Sequence, residues 1–213
     1  MTADVAAAAA ALPRVRRLYL FDALPGLEES VPWTPLADAP TPVEPCTAIE
    51  DWLGRSRVWV KRDDRAGSVY GGNKVRRFEF LLADAKRRGA RELVTVGGLA
   101  STQVMATILY GRAMGFDVTA VLFDQPVTEF ARRALRVGHA AGGKLVRGGG
   151  YLMTAARLAR AARRPGTYFV PPGASTPLAN LGYVDAMLEL GEQVKAGAMP
   201  RPDRIVLPAG SGG

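Results

Sequence analysis

The chain has 213 residues, 48% of them hydrophobic, and 28 Lys and Arg against 20 Asp and Glu give a formal net charge of +8. The length admits one large domain or two small ones, and the apolar content is enough for a packed core and too high for a disordered chain. The positive balance invites a nucleic-acid reading, but the arginines fall in scattered pairs (Arg16-Arg17, Arg76-Arg77, Arg87-Arg88, Arg132-Arg133, Arg163-Arg164), the pattern of solvated helix faces rather than of one basic patch, so no nucleic-acid partner is expected.

The N-terminal alanine run, Ala6 to Ala11, follows Asp4 and no Lys or Arg, which does not suit a secretory signal. No apolar run reaches membrane-spanning length, and a cytoplasmic protein with no membrane partner is expected. Up to Lys61 the chain is rich in proline and reads as an irregular arm, with Pro32-Trp33-Thr34-Pro35-Leu36 and Pro40-Thr41-Pro42. The lone Cys46 excludes an intramolecular disulfide, and with a single histidine, His139, it cannot build a Cys/His zinc site. His139, late in a helical stretch, suits a packed or capping role.

A short strand at Val58 to Lys61 opens the regular part of the chain. A helix follows from about Lys74 to Arg88, with Phe78, Leu81, Leu82 and Ala85 at helical spacing and Gly89 as its stop. Strand Leu93 to Val96 ends in Gly97-Gly98, and Ser101 can cap a helix that carries Val104, Ile108 and Leu109 inward as far as Gly115. Strand Val118 to Phe123, a helix from about Val127 to Ala141, strand Lys144 to Arg147, a helix from Leu152 to Arg163 and strand Tyr168 to Val170 come next. Pro177 begins a helix that runs to about Lys195, and Arg204 to Leu207 reads as a last strand. Strand, glycine turn, helix, strand at this spacing predicts βαβ units, an α/β fold with a parallel sheet covered by helices on both faces.

Four glycine turns carry the candidate chemistry. In Gly71-Gly72-Asn73-Lys74 the lysine stands at the positive end of a helix, where a protonated amine is disfavoured. An amine with a lowered pKa can attack a carbonyl and form a Schiff base, although a surface lysine after a turn has the same sequence. Gly97-Gly98-Leu99-Ala100-Ser101-Thr102-Gln103 offers free N–H groups and side-chain donors to a carboxylate or phosphate, or simply an N-cap. Pro172 to Pro177 and Gly210-Ser211-Gly212-Gly213 are turns of the same kind. Ligands in open parallel sheets bind outside the carboxyl ends of the strands, so such turns can converge on one site. The last turn follows an apparent core strand with no helix after it, and a sequence cut short at its C-terminus is expected.

Taken together, Pro40 to Glu44, Val60 to Asp64, Gly71 to Arg76 with Phe78-Glu79, Gly97-Gly98 with Ser101 and Gln103, Pro171 to Ser175 with Leu178 and Leu181 to Tyr183, and Gly210 to Gly213 resemble the family of 1-aminocyclopropane-1-carboxylate (ACC) deaminase and D-cysteine desulfhydrase, fold-type II pyridoxal 5′-phosphate (PLP) enzymes. The resemblance implies a PLP-dependent lyase or deaminase acting on a small amino acid, with Lys74 as the Schiff-base lysine and proton carrier. It places Asn73 beside the cofactor and has Gly210, Ser211, Gly212 and Gly213 cradle its phosphate. Ser101 is then catalytic and substrate-binding, and Thr102 and Gln103 line the substrate pocket. It also implies two lobes: a small one over residues 78–167, and a PLP-binding lobe of 1–77 with 168–213 that is incomplete here. A homodimer of the complete chain is implied as well. Departures from the family pattern are Ala100 for Gln, Thr102 for Asn, Ala174 for Gly, and Arg77 for Lys. The first two motivate an alternative, a family member with impaired catalysis that serves as a binding or regulatory protein.

Overall fold

A computed structural model describes residues 10, 12–13, 15–54 and 57–208. The arm holds two short helices, α1 (Tyr19–Ala23) and α2 (Thr47–Leu53), and a two-stranded antiparallel ladder of β1 (Val43–Pro45) and β2 (Trp59–Lys61). Then come α3 (Lys74–Arg87), β3 (Glu92–Gly98), α4 (Thr102–Ala113), β4 (Asp117–Phe123), α5 (Glu129–Ala140), β5 (Lys144–Gly149), α6 (Tyr151–Ala162), β6 (Thr167–Val170) and α7 (Pro177–Lys195). The four long-range strands form one parallel sheet in the order β5-β4-β3-β6. Right-handed crossovers put α4 and α5 on one face and α6, which returns from β5 to β6, on the other. This is the α/β sheet flanked by helices that the periodicity predicts.

Alternation along β4 shows both faces at work. Val118, Ala120 and Leu122 join the main core with Val104 and Ile108 of α4, while Thr119 and Val121 face α6. The same core takes in Phe78, Leu81, Leu82 and Ala85 of α3, and Leu36 and Ala37 of the arm. A smaller apolar cluster, Leu18, Leu20 and Phe80, ties the arm to the other side of α3. α3 and α7 meet almost backbone to backbone: a Cβ on Gly182 would lie 2.1 Å from the Arg76 carbonyl oxygen.

Three expectations are corrected. Arg204 to Leu207 forms no strand among the described residues, and Ile205, Val206 and Leu207 are 52%, 83% and 70% exposed. A strand needs a ladder partner, and apolar, β-branched composition supplies only a surface that suits one. Arg16, Arg76 and Arg77 are not on solvated faces; the two on α3 are 0% and 1% exposed and the Arg16 side chain is 2% exposed. His139 is exposed in the last turn of α5, where it is the residue's carbonyl that takes the Gly142 N–H.

Two of the buried arginines, Arg16 and Arg76, belong to one ion network that joins arm, α3 and α7. Arg16 donates to Glu79 at 2.6 Å and to Asp185 at 2.6 Å. Arg76 forks onto Glu189, both bonds 3.0 Å, and onto Asp63 at 2.9 and 3.0 Å. Lys61 reaches Glu189 at 2.5 Å. The three buried acids also accept main-chain N–H groups of the arm: Glu79 from Leu36 and Ala37, Asp185 from Leu20, Glu189 from Thr41. Each charge is therefore both paired and hydrogen-bonded, the condition under which burial is tolerated.

Burial alone would raise the Glu189 carboxyl, but hydrogen bonds and charge from Arg76 and Lys61 pull it down to about 2. A carboxylate with a depressed native pKa stabilises the fold above its ordinary pKa and loses that contribution as pH falls through the native value. Glu189→Gln should cost on the order of 3 kcal/mol at neutral pH, because it leaves Arg76 underpaired. In urea unfolding, the gap between wild type and Glu189→Gln should narrow steadily between pH 4.5 and pH 2. Gly182→Ala should cost roughly 1–3 kcal/mol in the same assay, since the helices must part to admit the methyl.

Candidate active site

Lys74 is the first residue of α3, and the helix has no side-chain cap at Asn73. The free N–H groups of this first turn make an electropositive end. The loop before it is set by close approaches. A Cβ on Gly71 would lie 2.2 Å from the Asp64 carbonyl oxygen, and one on Gly67 would lie 2.0 Å from the Tyr110 hydroxyl. That hydroxyl, on α4, donates to the Tyr70 carbonyl at 2.8 Å. Gly72 has φ +104°, a conformation that suits glycine. The Lys74 amine is half-buried and donates to Asn73 Oδ1 at 3.3 Å. Burial, and then the positive charge of Arg77, hold its pKa below the ordinary lysine value.

Arg77, one turn further on, joins α3 to the turn before α7. Its Nη1 donates to the Gly173 carbonyl at 2.6 Å and the Ser175 hydroxyl at 2.8 Å, and its guanidinium lies 4.3 Å over the Tyr183 ring. Its Nε and Nη2 are buried and make no hydrogen bond among the described residues. Leaving such charged donors unpaired in the interior is costly. Ala174 in the clamped turn is fully buried with φ +56°. That backbone is easy for the glycine of the family pattern and strained for alanine.

Ser101 caps α4, its hydroxyl accepting from the Val104 N–H at 3.3 Å. It packs against Gly97, where a Cβ would come within 2.9 Å of the Ser101 oxygen. Thr102 is exposed at the start of the helix. Gln103 is buried and donates to the hydroxyls of Thr95 and Thr107, both at 2.9 Å, tying α4 to β3. Both this turn and the 172–176 turn leave the carboxyl ends of neighbouring strands, β3 and β6, and the latter touches α3 and α4. Gly210, Ser211, Gly212 and Gly213 lie outside the described residues. Arg77 is the residue that sequence reasoning passed over. The spacing from Lys74 was the available signal: three positions along a helix puts both on one side.

A family model described as "Pyridoxal-phosphate dependent enzyme" matches residues 35–213. This chain belongs to that family. It is 36% identical over 190 residues to nocardicin C-9′ epimerase of Nocardia uniformis subsp. tsuyamanensis, which covers 85% of this chain and 56% of the relative. It is 35% identical over 170 residues to D-cysteine desulfhydrase of Salmonella paratyphi C, covering 74% and 51%. Its structure is similar to that of an ACC deaminase homologue, with a TM-score of 0.68, 27% identity, and coverage of 84% of this chain and 55% of the other. The chain thus spans about half the length of these relatives. Among the described residues no helix is long and apolar enough to cross a membrane, and no group of His, Cys, Asp or Glu could hold a metal ion.

The Lys74 environment is directly testable. With the lysines carbon-labelled by reductive methylation, Lys74 should titrate below the remaining lysines in NMR spectra. Arg77→Met should move its pKa part of the way back up, because it removes the lesser of the two causes and leaves burial in place.

Proposed function

We propose that the whole protein is a PLP-dependent lyase or deaminase acting on a small amino acid of the D-cysteine or ACC kind, with Lys74 as the Schiff-base lysine. The observation that carries this reading is the pair formed by a half-buried amine with a lowered pKa and a buried guanidinium with unfilled donors, three residues apart on one helix. An aldehyde and a phosphate on one small molecule fit that pair. Asn73 holds the Lys74 amine in register. Arg77 offers two N–H groups to the phosphate, and the 210–213 turn adds main-chain N–H groups.

Bound PLP supplies an electron sink for the amino acid's α-carbon. The protein supplies the rest. The Lys74 amine, lowered in pKa, takes and returns a proton there at neutral pH. Ser101, at the start of α4, meets the substrate with its hydroxyl, and the free N–H groups of that helix end suit a substrate carboxylate. Thr102 lines the same wall, and Gln103 supports it through β3. Two lobes, residues 78–167 and 1–77 with 168–213, would close over the substrate, in a homodimer in the cytoplasm.

Two measurements test this. The whole protein with PLP should show a visible absorbance band that Lys74→Ala abolishes and that Arg77→Ala weakens, raising the PLP concentration for half-loading about tenfold or more, the ~1.4 kcal/mol or more of a lost charged hydrogen bond. With ACC as substrate the products should be a 2-oxo acid and ammonia, and with D-cysteine a 2-oxo acid, ammonia and sulfide. An inverted amino acid without ammonia would contradict the lyase reading, and a band retained by Lys74→Ala would contradict the assignment of the lysine.

A further inference from the structure

On the opposite face of the sheet from α4, α6 buries Thr154 and Ala161, with Leu158 partly buried between them, and a row of cations flanks that stripe. β4 and β5 pair with Thr119 opposite Lys144 and Val121 opposite Val146, and these four residues share the face that α6 covers. A helix over such a face normally presents an apolar stripe. Beside that stripe, Arg157 and Arg160 of α6 and Arg164 just past its end line a groove of about 430 Å³ between helix and sheet. That size lies within the range of small-molecule sites, ~300–1,000 Å³.

The groove has two chemistries. Val121, Val146 and Ala161 make an apolar floor, and Lys144, Arg157, Arg160 and Arg164 make a cationic rim. The acid facing that rim is Glu92, which already accepts from Thr119 at 2.6 Å and Arg164 at 2.8 Å. Arg157 gives one N–H to the Arg147 carbonyl. Among the described residues, the Lys144 ammonium and the Arg160 guanidinium make no hydrogen bond or ion pair. Four cations against one engaged carboxylate leave a net positive field over an apolar strip. Guanidinium forks match phosphate oxygens, and a flat apolar body would cover Val146, the partly exposed residue of the floor, over Val121 that is already buried.

We propose that this groove binds a small phosphorylated ligand with a planar apolar body. It lies toward the amino ends of β4 and β5 and α6's C-terminal half, whereas Ser101 and the 172–176 turn follow the carboxyl ends of strands. It is therefore a second site, and it does not rest on the reading of Lys74. The rim supplies the affinity for the charged head and the floor selects the body, so neither half of such a ligand binds well alone.

Isothermal titration of the whole, PLP-loaded protein with adenosine 5′-monophosphate tests this, with adenosine and inorganic phosphate as the two half-ligands. Saturable binding of the nucleotide is expected, at least tenfold tighter than either half. It should weaken at least tenfold in Lys144→Glu/Arg160→Glu, whose two sites are exposed and whose thermal midpoint should match the parent. The cofactor's absorbance should stay unchanged throughout the titration. The proposal is overturned by a titration that does not saturate, by phosphate binding as tightly as the nucleotide, by full affinity in the double variant, or by loss of the cofactor band as nucleotide is added.

Discussion

The structure depends on one set of charges that water never reaches. Glu79 lies on α3, Asp185 and Glu189 on α7, Arg76 on α3 and Arg16 in the arm, and every one of these side chains is at most 2% exposed. Removing any member strands its partners in a low-dielectric interior, so the set behaves as a unit. It also recruits the backbone. Leu20, Leu36, Ala37 and Thr41 give their N–H groups to these acids, which is how a proline-rich arm with few ladder bonds of its own takes a fixed path. Glu79 and Glu189 respond to this setting in opposite directions. Burial dominates at Glu79 and raises its pKa, whereas two cations dominate at Glu189 and lower it.

The network matters for function through position. Lys74, Arg76, Arg77 and Glu79 share the first two turns of α3, so whatever locks Arg76 and Glu79 also locks the amine and guanidinium beside them. Gly182 sharpens the constraint by bringing α7 against the Arg76 carbonyl. The loop at 67–70, which leads into the lysine, is pinned from α4 by the Tyr110 hydroxyl on the Tyr70 carbonyl. A site that holds its groups to a fraction of an ångström needs such support behind the reacting side chains.

Much of the fold was legible because its signals are local. Each sheet strand lies within two or three residues of its apolar run, Pro177 marks the first residue of α7, and Ser101 caps α4 as its hydroxyl and spacing foretell. What was not legible depends on distant partners. Nothing near Arg76 in sequence reveals that Glu189, 113 positions away, will take its charge, so a buried arginine pair looks like a solvated one. Arg204 to Leu207 has the composition of a strand and lacks a described neighbour to pair with. The short helices α1 and α2 are too brief to show a helical period; α1 buries Leu20 and α2 buries no residue. In the candidate site the places of Lys74 at the start of α3 and Ser101 at the cap of α4 were readable from glycine turns, whereas the burial of Arg77 and its two unpaired donors were not.

One particular amine, that of Lys74, is proposed to carry the cofactor. The chain has five lysines, at 61, 74, 86, 144 and 195, and Lys61 is the nearest rival, since it too is partly buried, though committed to Glu189. Borohydride reduction of the PLP-loaded protein, followed by proteolysis and mass spectrometry, would read the attachment point directly. The account predicts the phosphopyridoxyl mass on the peptide that contains Lys74. The same mass on a peptide containing Lys61 or another lysine, with Lys74 unmodified, would contradict it.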